Sequence, residues 1–251
     1  MEKLRLDGKK IFVTGGAQGI GKSVATAFAE AGADLALVDL NIDLARETAK
    51  EIGDATGRKV IAIRADVTDQ DQVNAMIDTF LETFGKLDAA FCNAGIGVNV
   101  PAEDMTLEQW KRVIDVNLTG VFITAQAAGR VMLKQGYGSI INTASMSAHI
   151  VNVPQPQCGY NASKAGVVQL TKSFAVEWAD RGVRVNSISP GYIATELTRT
   201  QPMIGDWLKL SPMHRLGSVD ELQAACVYLA SDASSFTTGA DIRMDGAYTA
   251  F

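Results

Sequence analysis

Tyr160 and Lys164 stand four residues apart in the run Tyr160-Asn161-Ala162-Ser163-Lys164, a spacing that puts a phenol and an ammonium on one face of a helix. A phenol is a poor base near neutrality because its pKa is ~10, and a neighbouring cation stabilises the phenolate and lowers that value. Such a pair can exchange a proton with an alcohol. On many helices the same spacing only packs a surface, so the chemical reading needs a third group. Ser145 supplies one at the end of the strand-like run Ser139-Ile140-Ile141-Asn142-Thr143-Ala144. The carboxyl ends of parallel strands form the binding crevice of an open α/β sheet, where a hydroxyl can hold a substrate oxygen beside the phenol.

A second constellation lies near the N-terminus. Thr14-Gly15-Gly16-Ala17-Gln18-Gly19-Ile20-Gly21 falls between an apolar run and a helical pattern. Glycines there permit a tight turn and close approach of backbone to a pyrophosphate, and the free N–H groups of the helix start, Gln18 to Gly21, favour an anion. Asp39 closes the next apolar run, where a dinucleotide fold places a carboxylate to accept hydrogen bonds from a ribose diol. Leu40 and Asn41, which follow it along the ribose, supply no cation for a ribose phosphate. The expected cofactor is therefore NAD in preference to NADP.

These groups need strands to end beside them and helices to start there. Apolar runs at 10–14, 35–38, 60–63, 87–91, 139–144, 183–188 and 241–244 alternate with helical patterns at about 20–31, 42–56, 73–84, 107–134, 160–181 and 219–230. Strands apolar on both faces, joined by helices, predict a Rossmann-type doubly wound parallel sheet of about seven strands, with helices on both faces. No repeat or linker divides the 251 residues, so one domain is expected over 1–251, with a substrate-loop insertion at about 190–217. A net charge of −5 without a basic block points away from nucleic acid and membranes and towards a small-molecule partner. Cys92, Cys158 and Cys226 form no disulfide framework, and the N-terminus has no signal-like apolar stretch, so a cytoplasmic location is expected. His149 and His214 sit in no zinc-ligand spacing. No metal is expected, although carboxylates or a chain terminus could still hold a cation.

The glycine turn, Asn93-Ala94-Gly95, Asn117, Ser145, Tyr160/Lys164 and Pro190-Gly191, in this order over essentially the whole chain, resemble the short-chain dehydrogenase/reductase family. The resemblance implies that Tyr160 is the general acid/base, Lys164 lowers its pKa and holds the nicotinamide ribose, Ser145 orients the substrate oxygen and Asn117 supports a proton-relay water. It also implies cofactor contacts from Asp66 and Val67 at the adenine, from Asn93, Ala94 and Gly95, and from Pro190, Gly191, Ile193 and Thr195 at the nicotinamide. A homotetramer built on the helices at about 107–134 and 160–181 would follow the family's habit. Two departures stand out. Cys92 replaces the family's common asparagine before Asn93, and the gap from Ser145 to Tyr160 is two residues longer than the family's usual one; Ser147 fits the usual gap, Ser145 the strand-end motif.

The extra residues lie in Ser147-Ala148-His149-Ile150-Val151-Asn152-Val153-Pro154-Gln155-Pro156-Gln157, a polar stretch similar to that of the family's polyol and ketose reductases. An apolar ketone would leave such groups unpaired at ~1–3 kcal/mol each, whereas a polyhydroxylated chain satisfies them. Ser145, Ser147, Asn152, Gln155 and Tyr160 are the expected substrate contacts, and His149 a wall residue. Ile193, Leu197, Met203, Ile204 and Trp207 of the 190–217 segment would shield the reaction from water. Tyr248 and Phe251 would anchor against another subunit. The expected activity is interconversion of a sugar alcohol and a ketose. Reduction of an acyl-carrier ketone, a hydroxysteroid or a simple carbonyl compound, and a catalytically silent dinucleotide sensor, stand as alternatives.

Overall fold

Strand β1 (Lys10–Thr14) shows how this sheet is built: Phe12 turns to one face and Ile11 and Val13 to the other, all three fully buried. The structure, a computed structural model, describes residues 2–250 apart from the side chain of Leu197. The further strands are β2 (Asp34–Asp39), β3 (Val60–Arg64), β4 (Ala89–Cys92), β5 (Gly138–Thr143), β6 (Val183–Pro190) and β7 (Asp241–Met244). They form one parallel sheet in the order β3-β2-β1-β4-β5-β6-β7. The order reverses between β1 and β4, and there the connections leave in opposite directions and open a crevice at the carboxyl ends.

Helices α1 (Gly19–Glu30) and α2 (Ile42–Thr56) cover one face, where Val24 and Phe28 pack on Ile11 and Val13. On the other face α3 (Gln70–Phe84) sets Phe80 edge-on against Phe12, ring centres 6.0 Å apart. Each such side chain contributes roughly 1.5–3 kcal/mol by leaving water.

The helix expected over about 107–134 is interrupted. α4 (Leu107–Ile114) gives way to a π turn at Asp115–Thr119, and α5 (Gly120–Gln135) follows. Gly120 lies against Val67, and a Cβ there would come within 2.8 Å of its Cγ2. The apolar pattern runs on through the interruption, so periodicity alone does not reveal it. α6 (Cys158–Trp178) starts two residues before Tyr160, which puts Tyr160 in its first turn.

The segment after β6 folds as α7 (Glu196–Arg199) and α8 (Ile204–Leu210), and its ends are tied together. Ala194 donates its N–H to Gly217, 2.8 Å, and Gly217 donates to Tyr192, 2.9 Å. α9 (Gln223–Ala230) then leads to β7. After β7 the chain turns back beneath Gly191, where a Cβ would stand 2.7 Å from the Asp245 Cα. Tyr248 does not reach outward as expected: it is buried in its own chain, edge-on to Tyr192 at 5.5 Å. Phe251 and the Leu197 side chain lie outside the described residues.

Candidate active site

The carboxyl ends of β1, β4, β5 and β6 open into a cavity of about 2200 Å³. Asn93, next after β4, knits these ends together. It accepts a hydrogen bond from Thr143 Oγ1 at 3.3 Å, its N–H donates to Thr14 Oγ1 at 2.9 Å, and its Nδ2 donates to the carbonyls of Thr14 and Gly15.

Ser145 follows β5 and Tyr160 opens α6. Burial pushes the Tyr160 pKa up, and the nearby Ser145 hydroxyl works against that rise. Ser147, the alternative hydroxyl, instead receives the Ser145 hydroxyl's proton. Lys164, one turn further along α6, donates from Nζ to the Thr143 carbonyl at 2.7 Å, and its Nζ lies 5.7 Å from the centre of the Tyr160 ring. Burial lowers the Lys164 pKa to about 8. A phenol, a hydroxyl and a buried ammonium therefore meet at the cavity wall, an arrangement able to pass a proton to or from an alcohol oxygen.

Asn117 lies beneath this group in the π turn, fully buried. Its Oδ1 accepts from Ile96 N–H and its Nδ2 donates to the Ile96 carbonyl, each at 2.8 Å, and Nδ2 also donates to Ser163 Oγ at 3.2 Å. These bonds hold the Gly95-Ile96 loop close over Lys164; a Cβ at Gly95 would come within 3.5 Å of Nζ. Asn117→Ala strands the Ile96 backbone groups, and is expected to lower stability by roughly 1–3 kcal/mol. Urea unfolding would read this as an earlier midpoint at unchanged slope; an unmoved midpoint would refute the bracing role.

The glycine turn fits a dinucleotide phosphate. Gly15 and Gly19 have φ of 62° and 57°, and a Cβ at Gly21 would lie 2.0 Å from the Gly15 carbonyl oxygen. Gln18, Ile20, Asp39, Leu40, Asp66, Val67 and Ala94 line the same cavity, as do Pro190, Gly191, Ile193 and Thr195 on the far side. Asp39 accepts backbone N–H bonds from Ala17 at 3.2 Å and Asn41 at 3.0 Å. One Asp66 oxygen is taken up by the N–H and hydroxyl of Thr68.

The polar wall is present but differs from expectation, because its groups already satisfy one another. Ser145 donates to Ser147, Ser147 to Asn152, Asn152 to the Tyr192 hydroxyl at 3.1 Å, and Gln155 to the same hydroxyl at 2.8 Å. Trp207 donates to Gln155 at 2.9 Å and stacks on Tyr192 with ring centres 4.0 Å apart. An empty wall therefore carries fewer unpaired groups than its composition implies. His149 is no part of it: its Nε2 pairs with Asp241 at 2.8 Å, and Asp241 is also held by Ser187 and Ser189. Tyr192 and Gln157 were not among the expected contacts. The only sign of Tyr192 in the sequence is its place directly after Pro190-Gly191.

Among the described residues, no group of three His, Cys, Asp or Glu is placed to hold a metal ion, and no helix is long and apolar enough to cross a membrane.

A family model described as enoyl-(acyl carrier protein) reductase matches residues 15–249. A probable NADP-dependent mannitol dehydrogenase of Yarrowia lipolytica is 45% identical over 256 residues, covering 99% of this chain and 90% of its own. A sorbose reductase of Candida albicans is 43% identical over 253 residues, again covering 99% and 90%. Among solved structures, a short-chain type dehydrogenase/reductase from Mycobacterium marinum superimposes with a TM-score of 0.97 at 48% identity, covering 99% of this chain and 98% of its own. The NADPH-dependent 3-quinuclidinone reductase of Rhodotorula rubra gives 0.95 at 40% identity, covering 100% and 94%. The chain belongs to the short-chain dehydrogenase/reductase family and is an oxidoreductase of alcohols and ketones.

The NAD preference read from Asp39 is corrected by these relatives, two of which are named for NADP or NADPH. The physical reason lies in the use made of the carboxylate. Each of its oxygens accepts one backbone N–H, which makes it a brace of the glycine turn, so an aspartate after β2 has a structural use here apart from any ribose.

Proposed function

We infer that this chain interconverts a secondary alcohol of a sugar alcohol and the ketone of the corresponding ketose, with NADP(H) as its redox partner. The observation that carries the reading is the grouping of Tyr160, Ser145 and Lys164 at a cavity wall made of hydroxyls and carboxamides. The relatives' names, mannitol dehydrogenase and sorbose reductase, support the substrate class, and the NADP and NADPH in two names support the cofactor.

In oxidation Tyr160 as phenolate takes the proton of the substrate hydroxyl, while Ser145 Oγ holds the same oxygen. Lys164, as ammonium, makes the phenolate affordable in a buried place. Asn117 fixes the loop over Lys164, and a relay water would stand beside them. The nicotinamide, when bound, supplies the hydride acceptor in oxidation and the hydride donor in reduction. The glycine turn from Gly15 to Gly21 would hold the pyrophosphate, Asp66 and Val67 would flank the adenine, and Asn93, Ala94 and residues 190–195 would run along the remainder. Assembly as a homotetramer on α4, α5 and α6 is supported by the exposure of Phe122 and Val176 on these helices, and a cytoplasmic location by three free cysteines.

The test is kcat/KM with NADP and with NAD over mannitol, sorbitol, threitol and their ketoses, and over apolar secondary alcohols. NADP is expected to exceed NAD by about tenfold or more, the effect of ~1.4 kcal/mol, with polyols ahead of apolar alcohols. Preference for NAD, or for apolar alcohols, would overturn the corresponding half of the reading.

A further inference from the structure

The wall beside Ser145 converges on one residue, Tyr192. Trp207 Nε1 can only donate, and it donates to Gln155 Oε1, so the Gln155 Nε2 must face Tyr192. Asn152 is fixed in the same way. Its Oδ1 accepts from Ser147 Oγ and from Gln157 Nε2, which leaves its Nδ2 for Tyr192. The Tyr192 hydroxyl thus accepts from two carboxamides. The ring itself is clamped between Trp207, stacked at 8°, and Tyr248, edge-on at 86°. Asn152 and Gln155 are 2% and 5% exposed, so what they present to the cavity depends on this arrangement alone.

We propose that Tyr192 is the positioning residue that sets substrate selectivity: by accepting one N–H from each of Asn152 and Gln155, it aims their remaining N–H groups at the hydroxyl oxygens of a polyol beyond the carbon being oxidised. The proposal rests on the sugar-alcohol reading above. Each carboxamide nitrogen has two hydrogens, one of which is spent on Tyr192. The second is available on a residue that lines the cavity. A hydroxylated chain offers oxygens to both, and an apolar alcohol offers none, so the wall favours the former only while the carboxamides keep this orientation. Tyr248 packs edge-on against the Tyr192 ring, so the residues after β7 help to hold this wall from within the same chain.

Tyr192→Phe keeps the ring, its stack on Trp207 and its edge contact with Tyr248, and removes the atom that orients both carboxamides. The measured quantity is the ratio of kcat/KM for mannitol to kcat/KM for cyclohexanol, taken for the wild type and the variant, with thermal melting as a check of folding. The ratio is expected to fall at least tenfold in the variant, with KM for mannitol rising by a larger factor than kcat falls, a split that general loosening of the fold would not produce. A smaller fall overturns the proposal. Should Tyr192→Phe not fold, Gln155→Met, which keeps the length of the side chain and removes its bonds to Tyr192 and Trp207, is judged by the same threshold. A wild type that prefers cyclohexanol to mannitol overturns the substrate reading and this proposal with it. A wild type that prefers mannitol, with variants that keep the preference, overturns this proposal alone.

Discussion

Tyr160→Phe is expected to lower kcat for polyol oxidation by about 10³-fold, within the range of ~10²–10⁴ that a positioned acid/base group supplies. The ring, its place in the first turn of α6 and its approach to Lys164 are all kept; only the hydroxyl is lost. NADPH binding, followed by nucleotide fluorescence, is expected to change by less than about threefold, because so conservative a change alters little of the cavity wall. A fall in turnover matched by an equal loss of nucleotide affinity would mean that the residue holds the cofactor and does not transfer the proton. Retained turnover would remove Tyr160 from the mechanism.

Lys164→Met tests the electrostatic half of the same mechanism through pH. Oxidation needs the phenolate, so its rate rises with pH up to the Tyr160 pKa; reduction needs the phenol, so its rate falls over the same range. Burial holds the tyrosine above its ordinary value. A nearby ammonium favours the phenolate, and Lys164 Nζ lies 5.7 Å from the ring centre. The variant should therefore show the rising limb of oxidation displaced to higher pH, and activity at pH 8 lowered by about tenfold or more. Because burial also brings Lys164 itself to about 8, the wild type loses part of this assistance above that pH, and its limb belongs to the coupled pair. An unmoved limb in the variant would show that the lysine serves only to bind Thr143 and the cofactor.

The grouping of Tyr160, Lys164 and Ser145 at one cavity was readable in the sequence because it depends on residue type and short spacing: Tyr160 and Lys164 share a helix face, and Ser145 ends an apolar run. The sheet was readable for a similar reason, since strands buried on both faces leave unbroken apolar runs between helical patterns. Three things were not. The partners of Asn152 and Gln155 lie about forty and fifty residues away, at Tyr192 and Trp207, and no spacing rule joins them. The use of Asp39 as a brace depends on where the Ala17 N–H points after the turn has formed. Tyr248 looked like an outward anchor because nothing in a terminal run of seven residues reveals that it folds back beneath Gly191.

The π turn at Asp115–Thr119 also restricts how this chain can change in length. A π turn holds one residue more than the same stretch of regular helix, with the Gly120 N–H reaching back five positions to the Asp115 carbonyl. Removing any one residue from 115–119 would let α4 and α5 fuse into an uninterrupted helix, with the residues on either side kept on their faces. Val121, Ala125, Ala128 and Met132 would stay in the core, and the wide turn that brings Asn117 to Ile96 would be gone. Surface loops can shed or gain residues at little cost, and the core would tolerate one residue fewer here; it is the loop over Lys164, held through Asn117, that locks the residue count of this stretch.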